Sequence, residues 1–259
     1  MPKMYDSYFN DQLSKQVATA ISKAVSAGKK NIQVEFPPVP NVEEVKFGTP
    51  LNQKFGKVIA PDLKMDYKPG SKLSRNLVAY ANVYWAKRFA GSVKGGALGG
   101  APVGVLSAEP VDFTEIKSMG DLSRSGKILT EKARKEGRNG EAIICINPGG
   151  EETWPKLVSA HGQPNCPFVV MNNSYSTSYD LGNKKGFEEA YYLKRISKGF
   201  VFRAYPGPWE AYLEKPDGSV ELLKSYQTKP LLREVSELVR ETSFTRYALS
   251  NDRWMSGRM

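Results

Sequence analysis

The stretch AIICINPGGEETWPKLVSAHGQPNCPFVVMN, residues 142–172, decides the fold class. Its two ends, 142–147 and 167–172, are short unbroken apolar runs bounded by Pro, Gly and Asn. Strands covered on both faces in the middle of a largely parallel sheet have this composition. Between them EETWPKLVSAHG supplies a crossover helix, with Glu151 and Glu152 near its first turn, where the dipole favours negative charge. Strand, helix and strand in this order predict an α/β protein with a parallel core.

Toward the N-terminus, residues 11–27 place Leu13, Val17, Ala20, Ile21 and Ala24 on one helical stripe, with Asn10 as N-cap and Gly28 as stop. NIQVEF, residues 31–36, alternates Ile32, Val34 and Phe36 with Asn31, Gln33 and Glu35, which predicts a strand that Pro37 and Pro38 end. Residues 38–70 are rich in Pro, Gly and Lys without sustained periodicity and read as a long basic loop with at most a short helix in it. The 3.6-residue period returns at Leu73, Leu77, Ala81, Tyr84, Trp85 and Phe89, predicting one helix between Ser71 and Gly91. A glycine-rich connector over 91–104 then leads into a short strand near 103–107.

Toward the C-terminus, EEAYYLKRI, GFVFRAYPG and WEAYLEKPDGSVELLKSY read as short strands of an antiparallel meander, with a hairpin signal at Pro216-Asp217-Gly218. KPLLREVSELVRET follows as a closing helix, with Pro230 at its first position and Leu231, Val235, Leu238 and Val239 aligned. The expected organisation is a single α/β domain over 10–240. It has a largely parallel central sheet with flanking helices, extended by the meander and the closing helix. A loosely held basic C-terminal tail follows over 241–259, carrying Arg246, Arg253 and Arg258.

The chain of 259 residues carries a formal charge of +10, and the excess is uneven. Residues 1–100 hold 15 basic and 7 acidic side chains, whereas 101–259 hold 22 and 20. A second concentration lies in 117–138, where Lys117, Arg124, Lys127, Lys132, Arg134, Lys135 and Arg138 face only Asp121, Glu131 and Glu136; this interval is expected on the surface, with its KILTEKARKEG portion helical. Such a field favours anionic partners: nucleic acid, an anionic lipid surface or an acidic protein face. No apolar run reaches the length a membrane-crossing helix needs. The first residues, MPKMYDSYFNDQ, resemble neither a signal core nor a transit peptide, so an import address is expected to have been removed already.

The motifs of common chemistries do not appear. The glycine run contains neither GxxxxGK[ST] nor GxGxxG, and no serine sits in a GxSxG setting. The single histidine, His161, reads as a helix C-terminal residue suited to the negative end of the dipole. Cys145, Cys166 and His161 lack zinc-ligand spacing, so no metal or other cofactor is expected. Neighbouring acids such as Glu188 and Glu189 read as solvated positions. Glu35 stands apart, because it ends a predicted strand where open α/β sheets place ligands. Asn147 and Asn172 end the two buried strands and belong to the same candidate crevice, although Asn is also a common turn former. Arg203 reads as an inward anchor for the turn formed by Tyr205, Pro206, Gly207, Pro208 and Trp209. VYWAKRF interleaves bases with aromatics, but at helical spacing it reads as core, and no nucleic-acid module accompanies it.

The segment GFVFRAYPGPWEAYLEKPDGSVELLKS, residues 199–225, resembles a plastid and cyanobacterial domain-of-unknown-function family that includes the plant chloroplast protein low photosystem II accumulation three. IQVEFPPVP at 32–40 is similar to that family's early strand, and AIICINPG with PFVVMNN to its central strand pair. The resemblance covers roughly 10–240 and brings no catalytic residues with it. It implies a non-enzymatic chloroplast protein on the stromal side of the thylakoid membrane. Its partners would be photosystem or photosystem-assembly proteins, as an assembly factor or a peripheral subunit, with peripheral membrane contact. The alternatives are a nucleotide-binding enzyme using the strand-end crevice and a basic nucleic-acid binder, the latter disfavoured.

Overall fold

The computed structural model describes residues 1–2, 5–42, 49–93, 103–107, 142–147, 154–173 and 186–255. A short 3-10 turn at Asp6–Tyr8 precedes helix α1 (Gln12–Ser26), strand β1 (Asn31–Glu35) and helices α2 (Pro50–Leu63), α3 (Lys72–Arg75) and α4 (Leu77–Val93). Strands β2 (Val103–Ser107) and β3 (Ala142–Ile146), helix α5 (Trp154–His161) and strand β4 (Phe168–Met171) follow. The chain continues through β5 (Glu188–Ile196), β6 (Gly199–Ala204), β7 (Trp209–Glu214), β8 (Val220–Tyr226) and helix α6 (Leu232–Met255), which is kinked at Tyr247.

These strands form one eight-stranded sheet in the order β2-β3-β4-β1-β5-β6-β7-β8. Pairing is parallel from β2 through β5 and antiparallel from β5 through β8. The fold is thus mixed α/β, with β5 as the hinge between two kinds of sheet. It is both the last parallel strand, against β1, and the first strand of the meander.

The two faces carry different cores. On one, α1, α2 and α4 cover Ile32, Val34, Ile144, Val169, Tyr191 and Phe202. Trp85 sits at the centre, stacked on Phe55 and Phe89 at 5.9 and 5.8 Å, and its indole N–H donates to Pro38 O at 2.8 Å. On the other face α5 packs Trp154 against Ile143, Cys145, Phe168 and Val170. Farther along that face α6 packs Leu232, Val235 and Val239 onto Tyr192, Val201, Trp209, Ala211 and Leu213.

Several expectations are corrected. Residues 50–63 are a full helix, capped by Thr49, which accepts from Asn52 N–H, with Pro50 at the first turn. Its buried stripe is Asn52, Phe55, Gly56, Ile59, Ala60 and Leu63, a regular helical period in which three positions are polar or small, so hydrophobicity alone did not show it. Gly56 lies beneath the Tyr67 ring, where a Cβ would come within 2.2 Å of it. The single helix expected between Ser71 and Gly91 is two, broken at Asn76 (φ −123°, ψ 37°), and α4 runs past Gly91 to Val93. The closing helix starts at Leu232, leaving Pro230 ahead of it and Leu231 exposed. Residues beyond 240, expected as a loose tail, are helical as far as Met255. The basic interval 117–138 lies outside the described residues, as do Glu151 and Glu152.

Candidate functional site

Glu35 is the last residue of β1, and the pairing sets it beside Tyr192 of β5. Beyond that pair β1 and β5 part. The chain leaving β1 turns onto the α1–α4 face, where Pro37 O accepts from the Tyr8 hydroxyl at 2.7 Å and Pro38 O from Trp85. The chain leaving β5 stays in the sheet and returns as β6. Divergence of this kind opens a crevice at the carboxyl ends of strands in α/β sheets.

A β-bulge shapes the crevice wall. The register of β1 against β5 shifts between Gln33 and Val34, so Gln33 faces Glu189 and Glu35 faces Tyr192, with Ala190 inserted. Gln33 and Glu35 share a strand face, and the bulge therefore puts Glu189 and Tyr192 on that same face although they are three residues apart. Strict alternation would set Glu189 on the opposite side.

Ion pairs gather around the start of β5. Lys29 pairs with Glu188 at 3.1 Å and Arg203 with Glu188 at 2.9 Å. Arg203 also donates to Glu189 O at 2.8 Å and to Gly207 O at 3.3 Å, and its guanidinium stands 5.4 Å from the Trp209 ring centroid. The Glu189 carboxylate is 2% exposed and accepts from the Lys229 ammonium, which also lies over the rings of Tyr192 and Trp209 at 4.7 and 5.3 Å. Glu35 comes next, half-buried, accepting from the Asn173 backbone N–H, with Lys194 and Lys229 as its cationic neighbours. Burial drives the Glu35 carboxyl up from 4.5 to about 7. Lys194, Asn173 N–H and Lys229 pull it down and Glu189 raises it slightly, without reversing the effect of burial.

The predicted crevice residues meet at one rim but in different roles. Asn147 and Asn172 extend β3 and β4 in the left-handed region, at φ 42° and 52°. Asn172 Oδ1 accepts from Phe36 N–H at 3.0 Å, and its amide donates to Asn82 Oδ1 at 2.7 Å. It thereby ties β4 to β1 and α4, and its neighbour Asn173 is the one that reaches Glu35. Asn147 N–H donates to Met171 O at 2.9 Å. In the YPGPW turn Pro206 and Pro208 are exposed, Tyr205 and Gly207 half-buried and Trp209 buried, and the Tyr205-Pro206 bond is cis. Glu188 and Glu189, expected to be solvated, are 17% and 2% exposed and ion-paired. Pairing with Arg203 and Lys229 is what permits their burial. His161 ends α5. At the opposite, amino end of the strands a hollow of about 290 Å³ is lined by Gly28, Lys29, Lys30, Gly186, Phe187 and Glu188.

Sequence reasoning missed Glu189, Lys194 and Lys229. The bulge hides the first, and alternation along β5, which puts Lys194 on the face of Tyr192, becomes informative only once β1 is known to lie alongside.

Fold and site together define a mixed α/β domain whose crevice opens where parallel pairing gives way to antiparallel. Residues 10–237 match the family described as Domain of unknown function (DUF1995), and the chain belongs to it. No curated protein and no solved structure matches the chain.

Proposed function

We propose that this is a non-catalytic docking protein of the chloroplast stroma that binds photosystem or photosystem-assembly proteins at the thylakoid surface, in the manner implied by its resemblance to low photosystem II accumulation three. The observation that carries this reading is the charge of the helical layer. Residues 5–30 and 49–93, which build α1–α4 and their connections, hold 12 Lys or Arg and 4 Asp or Glu. The meander and α6, residues 186–247, hold 10 and 9. Of the four acids in the layer, Asp11 and Asp62 are both engaged by one cation, Arg88. On α2 the exposed stripe is Lys54, Lys57, Val58 and Pro61, continued by Lys64. A predominantly positive face of this kind speeds encounter with an anionic partner, and exposed side chains among the charges give specificity. Among the described residues no helix is long and apolar enough to cross a membrane.

The test is retention on plastid membranes in rising salt, comparing the native chain with a Lys54→Glu, Lys57→Glu, Lys64→Glu variant. The expected result is release of the native chain at moderate salt together with photosystem components, and loss of retention in the variant at an unchanged denaturation midpoint. Equal retention of both would remove this face from the interface. A wholly soluble pool with absorbance at 260 nm would transfer support to nucleic acid.

A further inference from the structure

We infer that two copies of this chain join edge to edge along β8, antiparallel about a two-fold axis perpendicular to the sheet, so that their two eight-stranded sheets continue as one.

Strand β8 is an open margin of the fold. It ends the sheet, with β7 as its one partner strand among the described residues. None of residues 215–228 is buried, so no described helix or loop covers this edge. Such a strand turns a row of unpaired N–H and C=O groups to solvent, and another strand laid alongside satisfies them. The edge is seven residues long and contains no proline to interrupt a second ladder. Val220 and Leu222, 36% and 46% exposed, stand on the face away from α6, opposite Glu214 and Tyr212 of β7.

The side chains fit a second copy. Ala211 faces Lys224 and Tyr212 faces Leu222, so Leu223 is an extra residue in β8. That bulge brings Glu221 and Lys224, three residues apart, onto the same face, because their partners Leu213 and Ala211 both pack under α6. An antiparallel copy whose axis passes between Leu222 and Leu223 sets Glu221 opposite Lys224 twice, once on each side of the axis. The two Leu222 side chains then meet beside the axis on the other face. Opposite charges directly across an antiparallel pair stabilise it, and like charges oppose it. A two-fold contact needs a surface complementary to itself, and an acid and a base equally spaced about one point supply that. Arg246 of α6 holds the Glu221 carboxylate at 2.6 Å, which fixes it at the edge.

Charge also decides which end of the molecule can meet its like. The chain carries +10, yet residues 186–247 hold 10 basic and 9 acidic side chains, so this end approaches a second copy without the repulsion that two helical layers would feel. An axis perpendicular to the sheet leaves both α1–α4 layers on one side of the joined sheet. The dimer thereby offers two cationic faces to one anionic surface, although the pairing itself does not depend on that use.

The test is sedimentation velocity of the full chain over a range of concentrations, with two single variants. The native chain is expected to sediment as a dimer that dissociates on dilution. Glu221→Lys and Lys224→Glu each set like charges opposite one another at both positions, and each is expected to raise the dimer dissociation constant about tenfold or more at an unchanged far-ultraviolet circular dichroism spectrum. Mixed in equal amounts, the two variants are complementary in both pairs and should regain dimer formation, a recovery that only contact between β8 and β8 produces. A native chain that stays monomeric at millimolar concentration would overturn the inference and leave the edge to an extended segment of another protein. A dimer indifferent to Lys224→Glu, or a mixture that does not recover, would overturn it as well.

Discussion

Replacing Glu35 by Gln should stabilise this protein at alkaline pH and leave it unchanged in acid. The folded carboxyl titrates at about 7 against an ordinary 4.5, because burial disfavours its charge. Below pH 4.5 it is protonated in both folded and unfolded chains and contributes no difference. Between 4.5 and 7 the unfolded chain gives up the proton while the folded chain keeps it, so stability falls as pH rises. Above 7 both are ionised and the penalty is complete. At 1.36 kcal/mol per tenfold difference in proton affinity the full penalty is roughly 3 kcal/mol, and partial access of water to the carboxyl brings it to about 2 kcal/mol. Glutamine preserves the shape and can accept from Asn173 N–H, so the variant should gain about 2 kcal/mol at pH 8.5 and nothing at pH 4. Urea unfolding of both proteins at pH 4, 5.5, 7 and 8.5 measures it. A constant difference across that range, or a variant weaker at pH 8.5, would show that the carboxylate is stabilised where it sits and would refute the reasoning.

Trp209→Ala should cost on the order of 3–5 kcal/mol, since the ring is 3% exposed, packs 5.1 Å from Tyr192 and carries Lys229 and Arg203 on its surface; chemical denaturation reports it, and no loss would put the ring at the surface. Gly199→Ala should prevent normal pairing of β6 with β7, because its Cβ would lie 2.0 Å from Tyr212 O, with Val239 of α6 behind it; a variant with native stability would refute that close approach. Asn172→Gly keeps the left-handed backbone and removes the bonds to Phe36 N–H and Asn82, so a loss of about 1–3 kcal/mol in urea unfolding isolates the amide's contribution. Asn172→Ala should lose more, because alanine is also strained at φ 52°.

The parallel core was legible because β3 and β4 are buried at every position, and covered strands leave an unbroken apolar run. The hairpin was equally plain: Asp217 Oδ1 accepts from Ser219 N–H at 2.9 Å within the Pro216-Asp217-Gly218 turn. Helix α2 was not legible, because its buried stripe uses Asn52 and Gly56 for contacts that need small size or hydrogen bonds. Asn52 donates to Asn41 O at 2.7 Å and accepts from Asn41 N–H at 3.0 Å. A hydrophobicity period does not register such positions. The candidate site was half legible. Glu35 could be placed at a strand end from alternation alone, whereas its partners depend on which strand lies beside β1, a choice made by tertiary packing over more than 150 residues of chain.

The position of Glu35 follows from the way the sheet changes character. A parallel strand needs a crossover to reach its neighbour, and β1 leaves toward the helical layer to begin one. Strand β5 needs none, because β6 returns beside it by a tight turn at Ser197–Lys198. It can therefore run on past β1, and its residues Leu193–Ile196 pair with β6 alone. The overrun gives Leu193 a place in the large core and leaves Lys194 facing the crevice. Deleting Ala190 would leave a regular ladder in which Gln33 still faces Glu189 and Glu35 still faces Tyr192, on one strand face. What it removes lies on the β6 side, where Ala190 O accepts from Tyr205 N–H at 2.8 Å. The deletion should therefore cost stability in urea unfolding and leave Glu35 titrating at about 7. A fall of that titration point would show that the inserted residue itself shapes the crevice wall, by letting water reach the carboxyl.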